Sequence, residues 1–445
     1  MLKVWRHWNN AATVLCRRPD GFKDGKSNPE IKKRDKMQLT KLTSITVAVA
    51  AALAFAGCSK KEEAPAADAS STAAAAPAGA EIIKIGFAAP LTGPQAHYGE
   101  EYKNGVTLAI EDANAEKPTI DGKPVSFELV AEDDQADPKT ATQLAQKFVD
   151  NKVNGIVGHF NSGTSIPASK IYSDAGLPQV AMATAPTFTQ QGYKTTFRSM
   201  TSDTQQGSVM GKFVVEKLGA KKVVIVDDRT AYGQGLADEF EKAVKAAGGA
   251  VVKREFTNDK ATDFAAILTT IKGAAPDVVF YGGADAQSAP MAKQMKRLGL
   301  KAPLISGEMT KTPTFLKLAG KEADGTIASL AGLPLEKMPK GPDYATRYKA
   351  RFNMDVATYS PYGYDAARVL IAAMKEANSA EPAKYLPVLA KINYTGVTSS
   401  SWSYDEKGDL KDGGITVYKV EGGEWKVMET IGGGAPAAAA ASAAQ

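Results

Sequence analysis

From residue 82 onward, short apolar runs alternate with longer segments in which apolar residues recur every three or four positions. The short runs predict buried strands, and the longer segments predict amphipathic helices. Strands are predicted at Ile82–Phe87, Val125–Glu132, Gly155–Gly158, Gln179–Ala183, Thr196–Met200, Lys222–Asp227, Ala250–Phe256, Asp277–Tyr281, Pro303–Ser306 and Thr326–Ala331. Helices are predicted at Tyr98–Asn114, Pro138–Asn151, Ser162–Ala175, Thr204–Leu218, Gly233–Ala247, Asp263–Lys272 and Ala286–Leu298. This alternation is typical of parallel sheets that are covered by helices on both faces.

The number of predicted strands is larger than one doubly wound sheet usually holds, and the alternation restarts after residue 200. We therefore predict an α/β fold of two doubly wound parallel-sheet lobes. After Pro334 come three helices and then three strand-like pieces: Asp343–Phe352, Pro361–Asn378, Pro382–Lys391, Val397–Tyr404, Ile415–Val420 and Trp425–Glu429. This order indicates a first lobe of residues 81–201 plus 333–396 and a second of residues 202–332 plus 397–431. Three crossings between the lobes predict a three-strand hinge.

Residues 1–57 predict an upstream extension followed by an export signal. A basic flank precedes the apolar run Leu42–Phe55, so the signal peptide begins near Met37, and the start codon is either Met1 or Met37. The run of about 14 residues is too short to span a membrane. It ends in Phe55-Ala56-Gly57-Cys58, which resembles a bacterial lipobox. We predict that Cys58 is lipidated and anchors the exported protein to the membrane, and the alternative is ordinary cleavage that leaves a free thiol.

Composition outside the alternating part predicts flexible segments. Residues 58–80 are mostly Ala, Pro and Ser with a few charges, which predicts a tether between the lipid and the folded part. Residues 432–445 form a similar low-complexity tail.

The charge balance argues against nucleic acid as a partner. The full chain has 54 basic and 49 acidic residues, but residues 1–57 contain 11 of the basic and 4 of the acidic ones. The processed protein is therefore close to neutral and offers no basic surface. The two cysteines are Cys16 and Cys58, and only His97 and His159 follow the signal peptide, so we predict no metal or other cofactor. We expect a monomer.

Polar residues follow two neighbouring strands of the predicted first lobe. Ser162, Gly163 and Thr164 come after one strand and open a helix, and Thr184 comes after the next strand. Ligands of open α/β sheets bind at the carboxyl ends of the strands, where helix N-termini offer free N–H groups to anions. The pattern predicts a site for a small carboxylate. The alternative is that these residues only cap a helix or form a turn.

The chain resembles the branched-chain amino-acid binding proteins, which are extracytoplasmic receptors of ABC importers with the type I periplasmic-binding-protein fold. The resemblance covers about residues 82–429 and depends on the order of many short motifs. These motifs are Ile85-Gly86-Phe87-Ala88-Ala89-Pro90-Leu91-Thr92-Gly93, Tyr98-Gly99, Asp137-Pro138, Gly158-His159, Thr184-Ala185-Pro186, Tyr232-Gly233-Gln234-Gly235, Tyr281-Gly282-Gly283 and Asp405-Glu406-Lys407-Gly408-Asp409-Leu410. The resemblance implies capture of an aliphatic amino acid of the branched-chain type and delivery to a membrane permease.

The resemblance also implies which residues hold the ligand. Ser162 and Thr184 match positions that bind the ligand carboxylate. The Met182 carbonyl, the Thr184 hydroxyl and Glu308 match positions that bind its ammonium group, although Glu308 could also be a solvated loop carboxylate. The side-chain pocket is walled at positions matched by Tyr98, Phe160, Tyr232 and Tyr359, and Asn161 is expected to line it.

Two departures from the family pattern leave the ligand's identity open. Ala284 stands where some members have an aromatic residue, and Asp285 follows it. Asp285 either contacts a polar end of the ligand or caps the helix predicted from Ala286. The positions of a disulfide found in some members are Ala136 and Asn161 here. A related amide or a polar amino acid is therefore the alternative ligand.

Three other functions are weighed against amino-acid delivery. An enzyme could use His159, Ser162 and Glu308, but the exported part contains no Gly-x-Ser-x-Gly motif. The glycine pairs near Gly233 and Gly282 lack the spacing of phosphate-binding loops. A sensory role is the third alternative, because the same two lobes also serve as the outer part of membrane receptors.

Overall fold

The structure of the protein is a computed structural model that describes residues 79–411 and 413–432. The predicted signal peptide, Cys58 and most of the two predicted flexible segments lie outside the described residues. No helix in the described ranges has both the length and the apolar character required to cross a bilayer.

The first lobe is built around a six-stranded sheet. Its strands are β1 (Glu81–Ala89), β2 (Thr119–Ile120), β3 (Lys123–Asp133), β4 (Gly155–Gly158), β5 (Gln179–Ala181) and β6 (Thr196–Arg198), in the order β2-β3-β1-β4-β5-β6. All neighbours are parallel except the β2–β3 hairpin. The accompanying helices are α1 (Ala96–Ala115), α2 (Pro138–Asp150), α3 (Ser162–Asp174) and α4 (Thr187–Gln190).

The second lobe is built around a seven-stranded sheet. Its strands are β7 (Lys222–Asp227), β8 (Ala250–Phe256), β9 (Val278–Gly282), β10 (Leu304–Ser306), β11 (Ile327–Leu330), β12 (Ile415–Glu421) and β13 (Glu424–Ile431), in the order β13-β12-β11-β10-β9-β7-β8. The helices are α5 (Asp203–Lys212), α6 (Ala231–Ala246), α7 (Ala265–Gly273), α8 (Asp285–Arg297) and α9 (Pro313–Ala319). Strand β12 pairs antiparallel with both β11 and β13. Each of the two sheets is therefore mainly parallel and has antiparallel pairing at one edge.

Three helices lie between β11 and β12 in the chain and pack in the first lobe. They are α10 (Gly341–Phe352), α11 (Ser360–Glu376) and α12 (Pro382–Leu389). Helix α11 contacts the sheet, α10 contacts α1, and α12 contacts α11. Helix α11 packs closely along α1 because α1 has no side chain at the contact: a Cβ added to Gly105 would lie 2.0 Å from the Ser360 carbonyl oxygen. This contact places α11 against the first lobe, and the bounds of the two lobes stay a prediction.

One predicted strand region differs in the structure. Residues 397–404 form no strand, and only isolated bridges join Trp402 to Tyr394 and Tyr404 to Leu410. These bridges lie on the first-lobe side, since the Gly408 carbonyl accepts a bond from the Arg198 amide at 2.9 Å. The prediction that the second lobe begins again at residue 397 is not favoured by these contacts. Alternating apolar residues suggested a strand here, but each pairs with a different local partner.

Short elements were also missed. Helix α9 has seven residues and begins with a proline, so its apolar pattern is too short to recognise. The helix predicted to continue to Leu218 is α-helical only to Lys212 and then continues as a π-helical turn over Phe213–Lys217.

Candidate functional site

The carboxyl ends of β4 and β5 place the predicted first-lobe residues together. Ser162 is the first residue of α3 and is buried, and its Oγ accepts a hydrogen bond from the Ala185 amide at 3.1 Å. The residue at the helix N-cap is Asn161, and its side chain makes no capping bond. Ser162 therefore ties the two strand ends to each other and does not cap the helix.

Thr184 connects the first lobe to the start of α5. Its hydroxyl donates to Asp203 Oδ2 at 3.1 Å, and its carbonyl accepts from the Asp203 amide at 2.8 Å. Met182 lies just before it, buried, with its amide bonded to the His159 carbonyl at 3.2 Å. The predicted carboxylate end of the site thus lies next to a buried acidic residue that begins the second lobe.

Glu308 is buried beside this connection and is not a solvated loop carboxylate. Its Oε2 accepts bonds from the Tyr232 hydroxyl at 2.9 Å and from Gln206 Nε2 at 2.6 Å. Gln206 Nε2 also donates to Asp203 Oδ1 at 3.1 Å, so one amide group links the two carboxylates. Gly307 permits the close approach, since a Cβ there would lie 2.4 Å from the Tyr232 hydroxyl.

The two carboxyl groups are held in an environment that disfavours their charge. Burial, followed by the charge of Glu308, raises the pKa of Asp203 well above its ordinary value, although Arg198 opposes the effect. Burial also raises the pKa of Glu308. A buried cation placed between them would stabilise both ionised forms.

Three of the four aromatic side chains of the predicted pocket pack against one another in the first lobe. Tyr98 stacks on Phe160 with ring centroids 5.6 Å apart, and Tyr359 meets both rings edge-on at 5.6 and 4.9 Å. The backbone carrying Tyr359 is held by Glu101, whose Oε1 accepts bonds from four successive amides, those of residues 357–360. Tyr232, the fourth aromatic residue, lies on α6 in the second lobe.

The lobes touch across the cleft at Tyr98 and Asp285. The Tyr98 hydroxyl donates to the Met309 carbonyl at 2.5 Å and accepts from the Asp285 amide at 3.2 Å. His97 Nε2 lies 2.9 Å from Asp285 Oδ2. These contacts join α1 of the first lobe to the second lobe, so the structure is a closed form.

Asp285 does not act as a helix cap. It is the first residue of α8, whose N-cap is Ala284, and its Oδ2 accepts from Thr312 Oγ1 at 2.7 Å. The alternative that Asp285 caps the helix is therefore wrong: the helix begins one residue earlier than predicted, which carries the carboxylate to the neighbouring loop and to His97.

The histidine of the enzyme alternative is bonded to residues outside that alternative. His159 is fully buried, with Nδ1 2.8 Å from Asp134 Oδ2 and Nε2 3.0 Å from the Tyr172 hydroxyl. Asp134 and Tyr172 therefore occupy both ring nitrogens, and neither nitrogen bonds Ser162. Within residues 79–411 and 413–432, no three or more His, Cys, Asp or Glu side chains form a group that could hold a metal ion.

Sequence reasoning missed three residues of this cleft. Asp203 and Gln206 lie at i and i+3 of α5, a spacing that is common on any helix, and nothing in the sequence indicates that they reach Thr184 and Glu308. His97 precedes Tyr98, and only the closure of the lobes brings it to Asp285.

Two α/β lobes that close over buried hydroxyls, carboxylates and aromatic rings define a bilobal solute-binding protein. The comparisons with known proteins give the family: residues 82–424 match the family model described as periplasmic binding protein, and the chain belongs to this family. The predicted fold and family are confirmed.

Relatives of known description cover most of the chain. The Leu/Ile/Val-binding protein homolog 1 of Brucella melitensis is 33% identical over 342 residues, which are 77% of this chain and 91% of the relative. The leucine-, isoleucine-, valine-, threonine-, and alanine-binding protein of Pseudomonas aeruginosa is 34% identical over 341 residues, 76% of this chain and 90% of the relative.

Solved structures show the same architecture. The leucine-binding protein LivK of Thermotoga maritima has a TM-score of 0.73 and 28% identity, covering 78% of this chain and 98% of its own. The branched-chain amino-acid transporter protein LivJ of Streptococcus pneumoniae, solved with isoleucine, has a TM-score of 0.71 and 26% identity, covering 79% of this chain and 100% of its own.

Proposed function

We propose that this protein is an extracytoplasmic receptor that captures a small α-amino acid of the branched-chain size class by lobe closure and delivers it to the permease of an ABC importer. The observation that carries the proposal is the closed cleft itself. It combines hydroxyls beside a helix N-terminus with two buried carboxyl groups, and this arrangement complements a zwitterion. The names of the relatives support an amino acid as the ligand.

In the proposed mechanism the ligand first docks on the open first lobe. Ser162 and the first amides of α3 hold its carboxylate, and Thr184 and the Met182 carbonyl orient its ammonium group. Helix α3 favours an anion at this end because its first N–H groups have no partner within the helix.

The second lobe then closes and adds Tyr232, Glu308 and Asp203. Closure removes water, so each polar contact becomes stronger. The ligand shifts the lobe equilibrium only by its preference for the closed form. The permease would recognise that closed form, and the protein itself carries out no chemical step.

The cellular setting is part of the same proposal. Export follows from the signal peptide, and acylation at Cys58 would hold the receptor at the membrane, because two or more acyl chains anchor stably whereas one does not. The receptor would act as a monomer. A permease that is pulled down equally by empty and ligand-loaded protein would contradict delivery of a closed, loaded form.

The binding test is a thermal-shift screen of the purified protein with leucine, isoleucine, valine and other small amino acids, followed by calorimetry. A ligand at 100 times its Kd should stabilise the folded protein by about 2.7 kcal/mol. If no amino acid shifts the transition, the proposed function is wrong.

Two variants test the assigned ends of the ligand. Thr184→Val keeps the side-chain shape and removes the hydroxyl, so the Kd should rise about tenfold. Thr196→Val is the matched control: its buried hydroxyl bonds the Tyr193 carbonyl at 3.1 Å within the first lobe, so it should lower stability without changing the Kd. Glu308→Gln should weaken zwitterionic ligands and spare amides that lack an ammonium group.

A further inference from the structure

Asp285 has one carboxylate oxygen that the closed cleft leaves without a partner. Its Oδ2 is bonded by Thr312 and lies against His97, whereas its Oδ1 is buried and has no hydrogen-bond partner. The residue is fully buried. A buried acceptor without a partner is costly, and more so on a carboxylate, so a missing donor is indicated at this oxygen.

A second unpartnered group lies in the same part of the cleft. The Tyr359 hydroxyl is buried and has no partner, although the ring packs edge-on against Tyr98, whose own hydroxyl bonds the Asp285 amide. Burial, followed by the charges of Glu308 and Asp285, raises the pKa of Tyr359 well above its ordinary value. The phenol therefore keeps its proton and is available as a donor.

The two groups differ in what they require. The Asp285 oxygen needs a hydrogen-bond donor, and the Tyr359 hydroxyl can donate to an acceptor. A methyl group satisfies neither of them. An ammonium group supplies only donors, whereas a hydroxyl or a carboxamide supplies both a donor and an acceptor.

We propose that Asp285 and Tyr359 determine specificity by binding a side-chain hydroxyl or carboxamide of the ligand, so that this receptor prefers a small polar amino acid to its aliphatic isostere. The inference rests on the proposed function, because it concerns the side-chain end of the same ligand. Ala284 supports it, since a small residue at the N-cap of α8 leaves the approach to Asp285 free of a bulky side chain.

The test compares two pairs of amino acids of nearly equal shape, valine with threonine and leucine with asparagine. Calorimetry on the wild-type protein should give a Kd for threonine at least about tenfold lower than for valine, and likewise for asparagine against leucine. The ratio within a pair cancels effects on lobe closure that are common to both ligands. In Asp285→Ala both ratios should fall to near 1.

His97→Ala is the matched control. It removes the other side of the contact across the cleft but leaves Asp285 Oδ1 in place, so both Kd values of a pair should rise together and the ratio should persist. If Asp285→Ala does not fold, Tyr359→Phe replaces it, and its ratios should also fall.

Each outcome decides between the two proposals. If valine and leucine bind as tightly as threonine and asparagine, the inference about specificity is overturned while the receptor function stands. Ratios that persist in Asp285→Ala or Tyr359→Phe would also overturn it. If none of the four amino acids binds, the proposed function fails, and the inference fails with it.

Discussion

Replacing Tyr98 with phenylalanine should weaken ligand binding by opening the lobes. The Tyr98 hydroxyl makes two bonds to main-chain groups of the second lobe, the Met309 carbonyl at 2.5 Å and the Asp285 amide at 3.2 Å. Without the hydroxyl, both groups stay buried and unpaired in the closed form, whereas water can reach them in the open form. We expect the closed form to lose about 1–3 kcal/mol, which lowers the apparent affinity by about 5- to 150-fold.

The assay is calorimetric titration with the amino acid that gives the largest thermal shift, together with small-angle scattering of the empty protein, which should become more open. The matched control is Tyr385→Phe, because the Tyr385 hydroxyl donates to the Asn154 carbonyl at 2.6 Å entirely within the first lobe. This control should lower the free energy of unfolding and leave the Kd unchanged. The reasoning is refuted if Tyr98→Phe binds as tightly as the wild type, or if both variants lose the same affinity.

Three further predictions follow from charge and packing. The pKa values of Asp203 and Glu308 are raised in the empty cleft, and a bound ammonium group should lower them again. Over the pH range in which binding releases a proton from either carboxyl group, affinity should rise by up to about tenfold per pH unit for each proton released, and titrations in buffers of different ionisation enthalpy should detect the release. An affinity that does not change with pH, together with binding that releases no proton, would contradict this prediction. Burial raises the pKa of Asp228 from 3.8 to about 6, so the stability that its protonated form contributes is present below about pH 4 and is lost as the pH rises through about 6. The free energy of unfolding in urea should therefore rise for Asp228→Asn relative to the wild type by up to about 3 kcal/mol between pH 4 and 7. A difference between the two proteins that does not depend on pH would contradict this prediction. Gly105→Ala should destabilise the protein by about 3 kcal/mol, because its Cβ would meet the Ser360 carbonyl. Gly273→Ala is the control, since nothing lies within 4 Å of its Cβ, and it should be neutral or stabilising by up to about 1 kcal/mol. Equal changes in the free energy of unfolding would refute the packing argument.

Much of the fold follows from the local pattern of residues. Strands such as β4 and β7 have the predicted bounds, because buried apolar runs between turn residues have few alternative structures. The segment 397–404 was assigned to a strand wrongly, because pairing with a neighbour is a tertiary property that alternation alone does not specify.

The sequence likewise indicates only some residues of the candidate site. Residue type and position after a strand are local features, and they indicate Ser162 and Thr184. The resemblance to the family indicates Glu308, and the role of all three in binding stays a prediction. Asp203 and Gln206 look like ordinary residues of an exposed helix start, yet they lie buried between the lobes.

The sequence by itself determined the two α/β lobes, because hydrophobic periodicity and turn residues act over short distances, and the order of its short motifs indicated the periplasmic binding protein family. Only the tertiary structure decided what the cleft contains. Closure brings His97 to Asp285, Tyr98 to Met309, and Asp203 to Thr184, all pairs from different lobes. Closure also buries carboxyl groups. Their pKa values and their hydrogen bonds depend on the neighbouring groups, and these neighbours come from distant parts of the chain that pack together only in the folded protein.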